Sequence, residues 1–330
     1  MVNVTQAVAD IDMIERAVYL ACRAPSLHNS QPWRWVAEGA VVDLFCDPTR
    51  IGRSTDHTGR EIIISCGAVL DHLRVAMAAE GWQTHVDRFP NPSKPDHLAS
   101  VHFTPMDFVT GAHRARAEAI RRRRTDRLPF TRPARWDSFA PVLRDTVDPS
   151  AVVLDVVPDD SRPHLAEASR LTKELRRYDS SYHAELQWWT SQLGSLQGIP
   201  TTSRVSTSEE DRLDVSREFP PVGSGVRRSE IIRDHSEVLV LSTYDDSRAC
   251  ALACGEALST VLLECTVAGL ATCTLTHMIE VPAAREIVRM LTGRHGYPQA
   301  LIRVGSIPQG EIPPPSTPRR PLANVLEIRS

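Results

Sequence analysis

The chain reads as a mixed α+β protein built from two related halves. Two observations predict this. Helical and strand patterns mix along the chain without the regular β-α-β rhythm of a parallel sheet. In addition, two long apolar segments repeat at a constant offset. SCGAVLDHLRVAMAAEGWQ (65–83) lies over ACGEALSTVLLECTVAGLA (253–271), so Cys66 meets Cys254, Gly67 meets Gly255, Leu70 meets Leu258 and Gly81 meets Gly269. Each copy reads as an apolar helix closed by glycine and followed by a strand. The small Cys-Gly start permits close backbone packing. Two such halves in one polypeptide would pair as an internal pseudo-dimer, copying the isologous contact of a true homodimer.

The elements follow in order. Ile11, Ile14, Val18 and Cys22 fall at helical spacing over residues 10–24, with Asp12 and Glu15 resembling a capping box. WRWV and VVDLFC flank Glu38-Gly39 and predict a hairpin. Residues 60–81 predict a long helix ending at Gly81, and THVDRF and ASVHF predict two strands around the loop NPSKPD. A basic helix is expected over 111–124, a buried strand over 151–157 and helices in two pieces over 163–193. Strands at 237–244 and 299–306 and helices at 247–269 and 283–292 complete the set. Pattern vanishes over 194–226, a stretch long enough to be a lid or binding loop. Pro308, Pro313, Pro314, Pro315, Pro318 and Pro321 predict an extended tail that cannot join a central strand and wraps over a neighbouring surface. The halves are placed at 1–108 and 109–330.

Composition excludes several function classes. With 330 residues and a formal net charge of −3, the chain offers no global basic surface for nucleic acid or an anionic membrane. No run of 18 apolar residues and no basic leader is present, so a cytoplasmic protein is expected. Seven cysteines without a C-x-x-C pair read as reduced, buried thiols, and no metal set is expected.

Three stretches resemble the flavin-dependent nitroreductase superfamily. APSLHNSQPWRW (24–35) looks like its A-P-S-x-x-N-x-Q-P-W segment. RRRRTDRLPF (121–130) looks like its R-R-S-x-R-x-F opening, with Thr125 for serine. GLATCTL, YPQALIRVGSIP and RRPLANV follow in the family's order. Within the superfamily the chain is most similar to the Acg-like mycobacterial branch. The resemblance implies an α+β fold, each half an antiparallel-rich sheet with long helices packed on it. It covers most of the chain but not 194–226. The A-P-S segment lies only in the first half, and the arginine motif and tail arginine only in the second. The pieces therefore add up to one FMN site between the halves, with the twin site lost.

Matched residue by residue, Arg123, Thr125 and Arg127, with Arg124 between them, are expected at FMN. Arg319 is expected at the phosphate, where guanidinium offers two parallel donors. Thr317 stands where the family often has a second cation. Arg127 would lie near the pyrimidine edge and favour the reduced ring. Ser26, His28 and Asn29 would reach the ring from the other half, and Thr274, Leu275 and Thr276 would pass the N5 edge. Thr276-His277 replaces a frequent Glu-Gly. No residue is assigned as catalytic, because hydride transfer to flavin needs no protein acid.

Bland readings stand beside these. An arginine run is usually a solvated helix face, Trp33 and Trp35 are core residues, and Asp56, His57 and Glu61 are polar residues at a helix start. Two functions follow. The first is an NAD(P)H-dependent oxidoreductase passing hydride through FMN to a small electron acceptor such as a nitroaromatic or quinone. The alternative is FMN storage beneath a closed lid. A nucleic-acid-binding role for residues 114–127 is weaker, given net acidity and no recognisable binding fold.

Overall fold

The computed structural model describes residues 9–50, 52–191, 196–293, 296–311 and 316–329. The expected lid residues 194 and 195 and Pro313, Pro314 and Pro315 of the tail lie outside the described residues.

The chain opens with α1 (Ile11–Ala21). Its cap is Asp10, whose side chain accepts the Met13 N–H at 2.7 Å, so Asp12 and Glu15 lie inside the first turns rather than forming the box. The predicted hairpin forms as β1 (Trp33–Glu38) and β2 (Val41–Cys46), turning at Gly39 with positive φ. Then come α2 (Arg60–Ala79), β3 (Trp82–Arg88) and β4 (His97–Pro105). The basic helix is α3 (Gly111–Arg122). It is followed by α4 (Trp136–Asp145), which has no counterpart in the sequence reading because Pro141 interrupts a short apolar pattern. Next are β5 (Val153–Val156), α5 (Arg162–Arg176), α6 (Ser180–Thr190) and the single turn α7 (Thr207–Glu210). The chain ends with β6 (Glu237–Thr243), α8 (Arg248–Val267), β7 (Ala271–Leu275), α9 (Pro282–Leu291), β8 (Tyr297–Gly305) and β9 (Leu326–Arg329).

These strands make two sheets. One runs β3-β4-β2-β1-β9 and the other β7-β8-β6-β5. Starting from the strand after the long helix, both take the same path: that strand, the next, then the two that precede the helix. Every pairing is antiparallel except β9 on β1. The two paths differ in their connections. A two-residue turn joins β1 to β2, whereas the whole of α5, α6 and α7 lies between β5 and β6.

The tail behaves as its prolines require. Its described residues from 307 to Pro321 stay out of the sheets, and the chain then adds β9 to an edge, with the Trp35 N–H donating to Val325 O at 2.6 Å. The end of the chain thus completes the sheet that the first strands begin.

The two repeat helices pack on each other: α2 lies on the first sheet, α8 on the second, and α3 touches both. Their crossing is at Gly67 and Gly255. A Cβ on Gly67 would fall on the Leu252 carbonyl oxygen and 2.9 Å from Gly255 Cα. A Cβ on Gly255 would fall on the Ile64 carbonyl oxygen. The offset that relates the two glycines also relates Leu252 to Ile64. Higher on the crossing, the Ser259 hydroxyl donates to Asp71 at 2.6 Å, again one offset away.

By length and composition both helices could cross a membrane, yet both are packed inside the protein. One continuous apolar cluster runs from Ile14 and Val18 through Leu70 and Leu258 to Ile302 and Val304. Trp33 and Trp35 are fully buried within it, as expected.

Gly67→Ala should therefore cost about 1–3 kcal/mol in urea unfolding, the usual cost of overpacking. Gly255→Ala should cost a similar amount, and the double variant less than their sum, since both obstruct one contact. Additive losses would show that the glycines serve separate contacts.

Candidate functional site

The A-P-S segment forms a strained loop. His28, Asn29 and Gln31 all have positive φ, between 50° and 58°. Non-glycine residues held there cost energy and persist where the surroundings fix them. Here the ties are explicit. Ser26 Oγ accepts the Gln31 N–H at 3.0 Å, and the Leu27 N–H donates to Ser65 Oγ on α2 at 3.1 Å. Asn29 Nδ2 donates to Pro318 O at 3.2 Å. The buried Gln31 amide donates to Leu196 O at 2.9 Å and accepts the Arg320 N–H at 2.8 Å. One loop thus binds the helix, the tail and the start of the 196–226 stretch.

Five arginines then converge. Arg23, Arg123, Arg124, Arg127 and Arg319 line one cavity with Ser26, Asn29, Thr125, Ser203 and Thr317. Its described lining contains no carboxylate, and none of the five arginines has a salt bridge among the described residues. Arg123 caps the end of α3 and is buried, with its Nε lacking a partner. Arg319 donates Nε to Cys22 O at 3.0 Å and Nη2 to Arg23 O at 3.0 Å. Burial, then mutual repulsion, lowers Arg123 to about 10 and Arg319 to about 9. Cations crowded together without a counter-charge are a built anion site. The rest of the basic segment is conventional: Arg116 pairs with Glu264 at 2.5 Å, and Arg121 with Glu118 at 3.4 Å.

A second, largely apolar cavity adjoins the first, sharing Pro25, Ser26, Thr125 and Arg127. It brings together Ser26 and His28 from the loop, Glu61 and Ser65 from α2, and Cys273, Thr274, Leu275 and Thr276 at the end of β7. The placement is topological. The Asp126 N–H donates to Thr272 O at 2.9 Å, which pins the arginine segment beside β7. The α2–α8 crossing holds the first-half loop against the same strand end. His28 is buried, its ring centre 6.0 Å from those of Trp189 and Phe219. Burial, then Arg217 and Arg127, holds its pKa well below the usual histidine range, so the ring is neutral. Arg127 lies 5.2 Å from the Phe219 ring centre and donates to Ser203 O at 3.2 Å.

All eleven sequence-predicted positions line one or other cavity: His28, Thr274, Leu275 and Thr276 the apolar one; Asn29, Arg123, Arg124 and Arg319 the cationic one; Ser26, Thr125 and Arg127 both. Residues within 198–219 line both cavities too: Gly198, Ile199, Pro200 and Ser203 the cationic one, Val205, Leu213, Ser216, Arg217 and Phe219 the apolar one. Arg217 ties this segment down. Its buried guanidinium pairs with Glu280 and donates to Thr276 Oγ1 at 3.0 Å. His277 points elsewhere, to Ser169 Oγ at 3.0 Å.

Curated relatives match nearly the full chain. A Mycobacterium tuberculosis protein provisionally named NAD(P)H nitroreductase acg is 58% identical over 319 residues, covering 97% of this chain and 96% of the relative. The chain belongs to the Acg-like branch of the nitroreductase superfamily. Another M. tuberculosis protein with a provisional NAD(P)H nitroreductase name is 37% identical to this Acg-like chain over 326 residues, covering 96% and 92%. An uncharacterised protein of that organism is 56% identical over 321 residues, covering 96% and 93%.

Solved structures are more distant. The FMN-dependent nitroreductase NfnB from Mycobacterium smegmatis, in complex with NADPH, has a TM-score of 0.39 at 15% identity, over 66% of this chain and 100% of that one. An Anabaena variabilis protein provisionally assigned as a nitroreductase has a TM-score of 0.48 at 9% identity, over 89% and 73%. Likeness at that level carries no argument here. No family model matches.

Residue-by-residue matching finds neither Arg23, Glu61 nor Arg217 in the Acg-like site. Arg23 precedes the motif by one residue. Arg217 lies in the stretch the resemblance leaves uncovered. Asp56 does behave as a helix-start residue, accepting the Ile62 N–H at 2.9 Å. Glu61 is likewise in the first turn of α2, but buried.

Two outcomes are expected. Inorganic phosphate should stabilise the ligand-free protein, by about 2.7 kcal/mol at a hundredfold excess over its Kd, and Arg123→Gln should largely remove the effect in a thermal-shift titration. Arg217→Met should leave Glu280 buried and unpaired, at about 3–5 kcal/mol. Limited proteolysis within 199–219 reads it, and unchanged cleavage would refute the tether.

Proposed function

We propose that this Acg-like chain binds one FMN across the two joined cavities and serves as an NAD(P)H-dependent oxidoreductase toward a small acceptor such as a nitroaromatic or quinone. One observation carries the reading. Five arginines meet in a cavity lined by no carboxylate among the described residues, beside an apolar cavity that gathers the residues the family resemblance assigns to the flavin ring. The donor set fits: guanidinium groups for a phosphate, hydroxyl and backbone groups of Ser26, Thr274 and Thr276 for ring heteroatoms, and apolar walls for the ring faces. Bound FMN would supply hydride exchange between nicotinamide and acceptor. The chain's residues do the rest. Arg23, Arg123, Arg124 and Arg319 hold the phosphate, Arg127 supplies a fixed positive charge, and Val205, Leu213 and Phe219 exclude water.

The same reading treats 1–108 and 109–330 as related halves paired inside one chain. Its support is the reciprocity of the crossing, where Gly67 faces Leu252 O as Gly255 faces Ile64 O, together with the shared strand order. On the side where β3 leaves α2, Arg74 and Arg88 instead pair with Glu256, an ion cluster that suits a lost twin site. Residues 196–226 act in this reading as a lid. A lid that stays closed would make the protein an FMN store, a reading favoured by the same wall of Val205, Leu213, Arg217 and Phe219.

FMN should bind one per chain, and Arg319→Gln should weaken it about 10- to 100-fold, the worth of one charged hydrogen bond, while riboflavin binding changes little. Equal losses for both ligands would place the phosphate elsewhere. Anaerobic addition of NADPH or NADH should bleach the visible flavin band. A band that dithionite bleaches and nicotinamide does not would select storage.

A further inference from the structure

Glu61 is the one acidic side chain among the described residues lining the apolar cavity. It is 2% exposed. Its Oε1 forms a 3.3 Å ion pair with Arg60 Nη2, and its Oε2 is buried with no hydrogen-bond partner among the described residues. A polar residue in the first turn of a helix normally turns outward, where it complements the helix dipole. Held inside with one oxygen unpartnered, an ionised carboxylate is costly, and the neutral acid lowers that cost. Burial, then repulsion from Glu280, shifts its pKa well above the usual carboxylate range. The charged groups that face it are Asp56 before α2, Arg60 on α2, Glu280 beyond β7 and Arg217 from the lid segment, with Arg127 and Arg303 on the same cavity wall, and Arg217 is already committed to Glu280. Raised in the folded state, such a group keeps its proton to higher pH than an ordinary carboxylate and becomes charged as pH climbs through its shifted value.

Its position adds a second fact. Asp56, Arg60 and Glu280 line a separate, larger cleft beside the α2 start. The two spaces are joined by side chains. Arg60 of the cleft contacts Glu61, and Glu280 of the cleft takes the Thr276 hydroxyl at 3.2 Å. Glu61 thus lines the first space, touches a wall residue of the second, and has its Oε2 unpartnered among the described residues.

We propose that Glu61 is the proton donor of this site, giving its proton to the acceptor reduced in the cavity and recovering one from solvent by way of the cleft that Glu280 and Asp56 line. The proposal rests on the reading of the cavity as a flavin site. The balance is simple. A quinone takes two electrons and one hydrogen as hydride from the reduced cofactor. Its second oxygen takes the proton from Glu61, whose O–H bond breaks to leave a carboxylate, and hydroquinone results. A nitro group treated likewise gives a nitroso group and water. The carboxylate is then reprotonated from water. The two histidines nearby do not fill this role: His28 is neutral, and His277 faces Ser169 outside the cavity.

The test is Glu61→Gln in FMN-loaded protein, with Glu61→Asp as the variant that keeps a proton. Glutamine matches the shape of the neutral acid, so FMN affinity should change less than about twofold. Both proteins are reduced with stoichiometric dithionite, which removes any dependence on nicotinamide access, and mixed with p-benzoquinone in a stopped flow. Reoxidation should fall about a hundredfold in Glu61→Gln, the usual worth of a general acid, and lose its decline with rising pH. Glu61→Asp should restore part of the rate. As a readout apart from turnover, the visible band of the oxidised wild-type protein should shift with one ionisation as pH rises, and this shift should vanish in Glu61→Gln. Equal rates with the same pH profile and the same spectral titration would overturn the proposal. Wild-type protein that binds no FMN would overturn the site reading instead.

Discussion

The contact between Gly67 and Gly255 is the constraint on which the site depends. Two helices that touch through bare backbone lie closer than any pair separated by side chains. That closeness sets the loop at 26–31, which hangs on α2 through Ser65, against the end of β7, which follows α8. Neither half alone has both walls of the apolar cavity. The continuous core makes the same point. Burial runs unbroken across the crossing, so the proposed halves are one folding unit sharing an interface, not two independent domains.

Electrostatics then separates two environments only a few residues apart. In the cationic cavity, arginines are crowded without counter-charge and their guanidinium pKa values fall. In the apolar cavity, a lone carboxyl is denied full solvation and its pKa rises. Both shifts have burial as their largest cause, and each favours a different partner: an anion in the first space, a proton on Glu61 in the second. Arg228 with Asp126 and Glu311 shows what a matched network looks like. The site differs from it by being incomplete within the chain.

The stretch without pattern illustrates how much sequence could say. From 194 to 226 no periodicity survives, because most of the described residues there take no regular structure. Only the turns at Thr201–Ser203 and Thr207–Glu210 interrupt it. The stretch is nonetheless held by specific polar contacts. Glu209 binds the Arg227 side chain and backbone, and Arg217 binds Glu280. Such contacts join residues far apart in the chain and leave no local signature. The burial of Glu61 had no signature for a related reason: a helix-start position is shared by exposed caps and buried carboxyls, and only packing distinguishes them.

The sequence by itself determined the elements whose physics is local or repeated. Apolar periodicity gave the long helices, alternation and turn residues gave the hairpin, and proline kept most of the tail out of the sheets. The repeat announced two alike segments with glycines in register, and the three family-like stretches named eleven residues that do gather. Tertiary structure decided what those residues could become. It brought Ser26 of the first half within one cavity of Thr274 of the second, folded the uncovered stretch over both, buried Glu61, and sent the last strand back to the first sheet. Each of these depends on which surfaces meet across more than a hundred residues of chain, and burial, not local propensity, sets the energy of that meeting.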